Sequence, residues 1–357
     1  MMNAPRRIAH GFADAPLVAI LVAVVALMAL ANPGRFLSPG NLASLAYQLP
    51  MLALLSFGMM ISMLTGGINL AIVSSANLTG IVTALALKAL TGGDSASASM
   101  LSVLIAMAVG LLGALASGAL MGFLIAYLEV PAILATLGVM TLIDGINVVL
   151  TRGYTLSDFP DALLAIGNGD VLGLPAPFIL LVVVVALLAI LIRQTRFGFD
   201  LYMVGSNLTA AQYSNINVRS VLMRQYMLSA FFSALTGFVM MGQFNSVKSN
   251  YAQSYLLVSV LACFLGGVDP FGGAGRLTGM ALSVVILQVV SSGVNLLRVD
   301  PFFVTAMWGA MILALIAINH FVGQRARSRS AATIMTNDKE IRLAAGGADK
   351  GKIEERR

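Results

Sequence analysis

The residues best suited to chemistry in this sequence are a few polar side chains that interrupt long apolar runs. Asp144 is the only acidic residue deep inside such a run, in TLIDGINVVL, and Asn147 follows three residues later on the same face of a predicted helix. If the run crosses a membrane, the carboxylate costs about 2.5–3.5 kcal/mol to insert, which makes it a functional candidate by default. The alternative is a structural hydrogen bond from Asp144 to a neighbouring helix.

A second candidate is the segment 64–80, LTGGINLAIVSSANLTG, which is too polar to continue either apolar run beside it. Gly66 and Gly67 allow backbone angles that other residues resist. Polar or irregular backbone survives at membrane depth only where protein or a water-filled cavity satisfies it, so a glycine-broken segment predicts a transport path or gate. The alternative is that small residues here let two helices pack closely.

Amides and hydroxyls dominate the candidates for a solute path. They suit a neutral polyol, because they offer hydrogen-bond donors and acceptors without a charge. Aromatic residues that would favour tight sugar binding are few in the apolar runs, so we expect a weak passage and a separate protein that supplies affinity. The candidate path or gate residues are Gly66, Gly67, Asn69, Ser74, Asn77, Asp144, Asn147, Gln243 and Asn295.

Membrane-spanning helices must position these side chains. Only 10% of the 357 residues are charged, against about 25% in soluble domains, and 59% are hydrophobic. Apolar runs of about 20 residues predict an all-α polytopic membrane protein. The single cysteine, Cys263, excludes an internal disulfide. About ten transmembrane helices are expected, at 17–31, 42–64, 69–90, 100–128, 132–151, 175–193, 219–244, 254–268, 275–297 and 301–320.

The distribution of basic residues orients these spans. With the N-terminus in the cytoplasm, the inner side receives about twice as many Lys and Arg residues as the outer side, which predicts cytoplasmic N- and C-termini. The expected parts are a cytoplasmic segment 1–16, a transmembrane domain 17–323 and a disordered cytoplasmic tail 324–357. Within the transmembrane domain, 152–174 is an outer loop and 194–218 is a cytoplasmic loop.

Both long loops are candidates for contacts with partner proteins. The outer loop carries Asp158, Asp161 and Asp170, and is either a dock for an extracytoplasmic partner or simply solvated surface. In the cytoplasmic loop, the run Ala-Ala-Gln-Tyr at 210–213 predicts a short helix with Asn207 or Thr209 as its N-cap. Such a helix is not needed to connect two spans, so we expect it to couple the chain to a partner.

Enzyme motifs are absent from the sequence: no HExxH, GxSxG or Cys/His metal cluster occurs. The run GGADKGK at 346–352 has the spacing of a phosphate-binding loop, but Ile353 replaces the Ser or Thr that would hold Mg²⁺, so the match is interpreted as coincidence. A weak internal repeat relates 64–87 to 264–286, since both pass from Gly-Gly to Leu-Thr-Gly and then to an apolar helix. Paired glycine-broken segments are typical of a duplicated transporter core.

Four stretches together resemble one known family. They are TGGINL at 65–70, ATLG at 135–138, GSNLTAAQYSNI at 205–216 and the glycine-rich 265–279. In this order and spacing they are similar to the permease subunits of bacterial ATP-binding-cassette importers, in the branch of ribose, xylose, galactose and autoinducer-2 permeases. This chain departs from the family at four positions. The family usually has Asp in place of Asn69, Ser in place of Ala71, and Gly in place of both Val73 and Asn215.

The resemblance implies a permease with no catalytic or metal-binding residues of its own, in the bacterial inner (plasma) membrane. Its implied partners are a cytoplasmic ATPase that holds ATP and Mg²⁺, a second permease subunit, a periplasmic substrate-binding protein and membrane lipid, with no nucleic acid. The segment 205–216 would contact the ATPase, through Gly205, Asn207, Ala210, Ala211, Ser214 and Ile216. The late glycine motif comprises Gly266, Gly267, Gly272, Gly273 and Gly275.

The expected function is therefore import of a simple sugar or related polyol, driven by ATP. One alternative is an ion-coupled secondary transporter, although Asp144 would then have to carry proton coupling nearly alone. Another is a permease of the same superfamily for nucleosides, branched-chain amino acids or autoinducer-2. Because Asn69 replaces the family's carboxylate, a further hypothesis is that a second, different permease in a heterodimer keeps the acidic motif.

Overall fold

The computed structural model describes residues 6–93, 98–171, 173–300, 302–315 and 317, and helices make up most of them. The helices are α1 (Arg6–Ala31), α2 (Pro39–Met63), α3 (Ile72–Leu90), α4 (Met100–Ala126), α5 (Ala132–Thr151), α6 (Asp161–Asn168), α7 (Ala176–Gln194), α8 (Arg196–Ser206), α9 (Leu208–Tyr213), α10 (Val218–Phe244), α11 (Ser254–Leu265), α12 (Leu277–Leu296) and α13 (Phe302–Leu315). Short antiparallel pairs join β1 (Leu156–Ser157) to β4 (Ser246–Val247), and β2 (Asp170–Val171) to β3 (Leu174–Pro175).

Within these described residues, eight helices are long and apolar enough to cross a membrane, and α11 and α13 are shorter apolar helices. Each predicted span overlaps one of these ten helices, which confirms the all-α polytopic fold class. The segment between the predicted spans 42–64 and 69–90 is longer than expected, because α3 begins at Ile72 rather than at residue 69. Residues 64–71 therefore form a separate non-helical segment, called here the break.

The core of the bundle is formed by α2, α3, α10 and α12. In each of these helices, 67–72% of the most apolar 18-residue window is buried, against 11–33% in α1, α4, α5 and α7. Small residues allow the core helices to approach closely both one another and α4. A Cβ added to Gly118 of α4 would lie 2.6 Å from the Ala230 Cβ of α10, and one added to Gly58 of α2 would lie 2.9 Å from the Phe232 Cβ.

The predicted outer loop 152–174 is folded against the C-terminal end of α10. Besides the β1–β4 pairing, the Asn245 side chain accepts a hydrogen bond from the Phe159 amide at 3.1 Å, and the Asn168 amide donates to the Gly242 carbonyl at 2.7 Å. Asn245 can hold this position because its backbone adopts a left-handed conformation, with φ of 47°. This segment therefore caps one end of the bundle.

The predicted loop 194–218 contains two helices rather than one. Sequence reasoning expected only the short helix at 210–213, which α9 confirms, and missed α8, whose Gly-Phe-Asp-Leu run lacks a long apolar stripe. Of the two N-cap candidates for α9, Asn207 is the cap: its side chain accepts from the Ala210 amide at 2.9 Å. The Thr195 side chain caps α8 in the same way, accepting from the Gly198 amide.

The repeated motifs are only partly equivalent in the structure. Leu-Thr-Gly at 277–279 opens α12, whereas Leu-Thr-Gly at 78–80 lies in the second turn of α3. Both glycine-broken segments nevertheless meet at one end of the bundle. The chain divides into two compact units, 1–305 and 306–357, and α1 to α12 lie in the first. The predicted tail 324–357 and the GGADKGK run lie outside the described residues.

Candidate functional site

The break reverses the chain between α2 and α3. After the last turn of α2, the Gly66 amide donates to the Met63 carbonyl at 2.9 Å and the Gly67 amide donates to the Ser62 carbonyl at 3.1 Å. Gly66 has a φ of 82°, in the left-handed region that glycine tolerates best. The predicted need for glycine here is thus met by a turn that ends one helix and allows the next to start.

Three glycine motifs that are far apart in the sequence meet at this turn. A Cβ on Gly66 would lie 2.8 Å from the Phe271 carbonyl oxygen, and one on Gly272 would lie 2.6 Å from the Gly66 nitrogen. A Cβ on Gly205, near the end of α8, would collide with the Leu64 carbonyl oxygen. Backbone therefore packs directly on backbone among the break, α8 and the segment 271–275, an arrangement called here the glycine junction.

Hydrogen bonds tie the glycine junction together. The Gly273 amide donates to the Leu64 carbonyl at 2.9 Å, and the Tyr202 hydroxyl of α8 donates to the Gly275 carbonyl at 2.8 Å. Burial raises the pKa of the Tyr202 phenol, and the nearby Arg193 charge opposes this only partly, so the hydroxyl keeps its proton and remains a donor. A displacement of α8 would thus be transmitted directly to the break.

The other late-motif glycines lie beside the junction. Gly266 ends α11, where a Cβ would lie 2.9 Å from the Met280 Cα of α12. Gly267 follows with a φ of 74°. A Cβ on Gly275 would lie 2.7 Å from a methyl group of Leu64. Gly66, Gly205, Gly272, Gly273 and Gly275 thus come together as one site, while Gly266 allows α11 to approach α12 closely and Gly267 provides the turn that follows α11.

Asn69 is fully buried at the end of the break, in a chain of hydrogen bonds. Its side-chain amide donates to the Ser229 hydroxyl at 2.9 Å, and that hydroxyl donates to the Gly58 carbonyl at 2.9 Å. Its side-chain oxygen accepts from the Ala71 amide at 3.1 Å, which helps α3 to begin. Because Ser229 already donates its one proton to Gly58, residue 69 must supply a donor, which an ionised Asp would lack.

A polar layer beneath the break involves residues that sequence reasoning missed. The Thr65 hydroxyl lies 3.1 Å from the Gln225 side-chain oxygen, and the Thr136 hydroxyl donates to the Ile68 carbonyl at 2.8 Å. Gln225 and Tyr226 of α10 are both fully buried. The available signal was a glutamine next to a tyrosine inside a predicted span, but the sequence alone does not show which neighbour that face of α10 meets.

Towards the capped end, the candidate polar residues join helices to one another. The Asn147 amide of α5 donates to the Ser74 carbonyl of α3 at 3.1 Å. The Asn77 amide bridges the carbonyls of Ser249 and Tyr251, both at 3.1 Å. Ser74, Asn77 and Asn147 are buried. Gln243 donates to the carbonyl of Tyr47, and so links α10 to α2.

Asp144 and Asn295 lie apart from these contacts. Asp144 is half-buried on α5, and among the described residues no hydrogen bond or ion pair to its carboxylate is found. The expected alternative, a hydrogen bond to a neighbouring helix, is therefore not found in the part of the chain that the structure describes. Asn295 is exposed at the end of α12. Any role of these two residues in a path would involve a surface of the bundle rather than its core.

The short helix α9 presents two different faces. Ala211 is fully buried in a cluster with Leu201, Val204 and Val221, and Ile216 packs against the same cluster. Ala210 and Ser214 are exposed, and Tyr213 is 90% exposed. The buried face fixes α9 to α8 and α10, and the exposed face carries an aromatic side chain that sequence reasoning did not single out.

Asn215 follows α9 with a φ of 60°. This left-handed conformation is one that Gly adopts freely and Asn tolerates better than other side chains. Asn in place of the family's usual Gly is thus compatible with the turn. No group of three His, Cys, Asp or Glu residues that could hold a metal ion occurs in the part of the chain that the structure describes.

Comparisons with known proteins agree with this architecture. Residues 41–318 match a family described as the permease component of the branched-chain amino acid transport system. The chain is 30% identical to the ribose import permease protein of Haemophilus influenzae over 85% of this chain and 92% of the relative. For the Bacillus subtilis ribose import permease protein, the values are 32%, 84% and 89%. For the Escherichia coli galactose/methyl galactoside import permease protein they are 28%, 84% and 92%. No solved structure matches the chain.

Proposed function

This chain belongs to the family of branched-chain amino acid transport system permease components, and we propose that it is the membrane-spanning subunit of an ATP-driven importer for a simple sugar or related polyol. The observation that carries the proposal is the glycine junction, because it joins a short helix pair outside the spans to a broken segment inside them. The sugar specificity rests on the names of relatives that match nearly the whole length of the chain.

The proposed complex contains two permease subunits, a cytoplasmic ATPase that binds ATP and Mg²⁺, and a periplasmic binding protein. In this arrangement both termini of the chain are cytoplasmic, α8 and α9 face the ATPase, and the α6 segment faces the periplasm. The exposed Tyr213 supports the assignment of α9 as the ATPase contact, since aromatic side chains are enriched at the centres of protein interfaces. ATP hydrolysis is assigned to the separate ATPase subunit.

In the proposed mechanism, ATP binding moves α9 and α8 together, because Ala211 is packed between them and α10. Gly205 then displaces the Leu64 carbonyl and the Gly272–Gly273 backbone, with no intervening side chain to absorb the movement. This shifts the break relative to α10 and changes which end of the bundle is open. The late glycine segment moves with the break because Gly273 is hydrogen-bonded to Leu64.

The proposed path uses neutral polar groups. Thr65, Asn69, Ser74 and Asn77 follow one another through the break and α3, and their amides and hydroxyls match the hydroxyls of a sugar. In the described conformation Asn69, Ser74 and Asn77 are buried in contacts with neighbouring segments, so the path is assigned to a different conformation of the same bundle. Asp144 is assigned to the surface that the second permease subunit covers.

Growth and uptake separate the candidate substrates. Cells that lack this gene should lose high-affinity uptake of one sugar among labelled D-ribose, D-galactose, D-allose and L-arabinose, and regain it when the gene is restored. The family description names branched-chain amino acids, so labelled leucine is included in the same assay. Loss of leucine uptake with normal uptake of all four sugars would overturn the sugar assignment and retain the family.

Co-purification distinguishes a homodimer from a heterodimer. Two copies of this chain with different affinity tags are produced in the same cells, and one tag is used for purification. Recovery of the second tag supports a homodimer. Recovery of a different permease that carries Asp at the position of Asn69, without the second tag, supports the heterodimer in which the partner supplies the acidic motif.

A further inference from the structure

Two buried polar groups beneath the break have no hydrogen-bond partner among the described residues. They are the side-chain nitrogen of Gln225 and the hydroxyl of Tyr226, and both residues are 0% exposed. The two side chains are neighbours close enough to interact, although no hydrogen bond of good geometry joins them. A buried polar group without a partner is unfavourable and calls for an explanation.

Packing alone does not explain why residue 226 carries a hydroxyl or why residue 225 carries an amide. The same helix uses Phe232 and Phe238 where only an aromatic ring is buried. A phenylalanine at 226 would fill the space of the ring without leaving an oxygen unpaired. The Gln225 side-chain oxygen lies 3.1 Å from the Thr65 hydroxyl, whose single proton has a second acceptor, the Ser62 carbonyl, at 3.0 Å. The Gln225 side-chain nitrogen has no hydrogen-bond partner among the described residues. The two groups therefore present hydrogen-bonding capacity that the described conformation does not use.

The break is the cover over these groups. A Cβ on Gly67 would collide with the Tyr226 hydroxyl, so the hydroxyl lies directly against the backbone of the break. Behind Gly66 lies the Phe271 carbonyl, at 2.8 Å from where a Gly66 Cβ would be. At both positions the break presents backbone rather than a side chain, Gly67 to Tyr226 and Gly66 to the late glycine segment.

This cover is connected to α8. The Gly273 amide donates a hydrogen bond to the Leu64 carbonyl of the break, and Gly205 of α8 packs on the same carbonyl. Gln225 is the eighth residue of α10, so it lies about 10 Å along the helix from Val218, the end nearest α9. A movement of α8 would therefore act on the cover within about two helical turns of that end of α10.

We infer that Thr65, Gln225 and Tyr226 form a sugar-binding half-site that is closed by the break in the described conformation and opened when α8 moves. The amide and the two hydroxyls would hydrogen-bond hydroxyl groups of the transported sugar on its way to the cytoplasm. All three groups are neutral, which fits a neutral polyol and permits rapid release. This inference rests on the proposed function, because it names ligands for the solute that the importer carries.

The first test compares two Tyr to Phe substitutions in the full transport system. Tyr226→Phe removes an unpaired hydroxyl, so the thermal unfolding temperature of the purified chain should stay the same or rise. Tyr202→Phe, the matched control, removes a hydroxyl that donates to Gly275 at 2.8 Å and should lower that temperature. A Tyr226→Phe variant that unfolds at a clearly lower temperature would overturn the inference, because its hydroxyl would then be a structural partner.

In the same cells, Tyr226→Phe should reduce the maximal rate of D-ribose or D-galactose uptake about fivefold, the effect of losing roughly one hydrogen bond to the moving solute. The half-saturation concentration should not change, since the binding protein determines it. Normal maximal uptake by both Tyr226→Phe and Gln225→Leu would overturn the half-site. The wild-type chain is assayed in parallel, and absence of ATP-dependent sugar uptake there would instead refute the proposed function.

The second test measures accessibility. In a Cys263→Ala background, Gln225→Cys and the control Thr236→Cys place a thiol at two buried positions of α10. A small membrane-impermeant thiol reagent should label Gln225→Cys only during ATP turnover, and the transported sugar should slow that labelling. Thr236→Cys, which the break does not cover, should not show sugar-protected labelling. Labelling of Gln225→Cys that is independent of ATP and of sugar would contradict the inference.

Discussion

The substitution Gly205→Ala disturbs the glycine junction most directly. The added Cβ would lie 2.5 Å from the Gly273 nitrogen and closer still to the Leu64 carbonyl oxygen, whereas real Cβ atoms essentially never approach within 3.0 Å of such atoms. Because both neighbours are backbone, and the contact with the Leu64 carbonyl oxygen is the shorter of the two, α8 has to move away by about an ångström. Overpacking of this kind typically costs about 1–3 kcal/mol.

The displaced α8 would also strain the Gly273–Leu64 hydrogen bond, whose loss costs about 0.5–1.5 kcal/mol. These amounts are smaller than the stability of a typical domain, about 5–15 kcal/mol, so the variant should still fold. A penalty of about 1.4 kcal/mol on the coupled state corresponds to a tenfold effect. We therefore expect ATP-dependent sugar uptake to fall about tenfold or more, while the amount of chain in the membrane stays close to the wild-type level.

Gly40→Ala is the matched control, because Gly40 lies in the first turn of α2 with nothing within 4 Å of the added Cβ. It should leave uptake unchanged. The assay is initial uptake of the identified sugar, normalised to the amount of chain in the membrane and of ATPase bound to it. Wild-type uptake by Gly205→Ala, or an equal loss in Gly40→Ala, would refute the reasoning that α8 acts on the break through this contact.

Substitutions at three further positions test individual parts of the account. Asn69→Asp should lower the thermal unfolding temperature, because an ionised carboxylate cannot donate to Ser229 and a buried unmade hydrogen bond costs about 1–3 kcal/mol; an unchanged temperature would contradict the donor chain. Tyr213→Ala should weaken co-purification of the ATPase without changing that temperature, since Tyr213 is 90% exposed, and full retention of the ATPase would count against α9 as the contact. Asn215→Ala should destabilise the chain by about 1 kcal/mol and Asn215→Gly should not, because φ is 60° there; equal stability of the two variants would remove this explanation.

The sequence predicted the features that depend on local composition. Ten apolar helices follow from hydropathy alone, and Asn207 was one of two N-cap candidates for α9 because capping depends on residues only three positions apart. The break at Gly66 was also predicted from local composition, because glycines and polar residues interrupt two apolar runs there. α8 was missed because Arg196–Ser206 is short and partly polar, so neither hydropathy nor length marks it as a helix.

The contacts that make the site could not be predicted from one sequence. Gly66, Gly205 and Gly272 are separated by long stretches of chain, and only the packing of α8 and the late segment on the break brings them together. The orientation of α10 about its own axis decides that Ser229 meets Asn69 and that Gln225 and Tyr226 lie beneath the break. The hydrophobic pattern of α10 does not determine that orientation. The roles of Asp144 and Asn295 stay predictions.

The most direct test of ATP-driven import uses proteoliposomes that contain this chain, its ATPase and the binding protein, with no ion gradient across the membrane. The account predicts accumulation of the sugar that requires ATP and Mg²⁺ and is unaffected by ionophores. The spans contain few ionisable groups, of which Asp144 is the main acidic one. Because ATP drives the transport, the account requires none of these groups to couple it to an ion. Uptake that follows a proton or sodium gradient in the absence of ATP would contradict the account and indicate a secondary transporter.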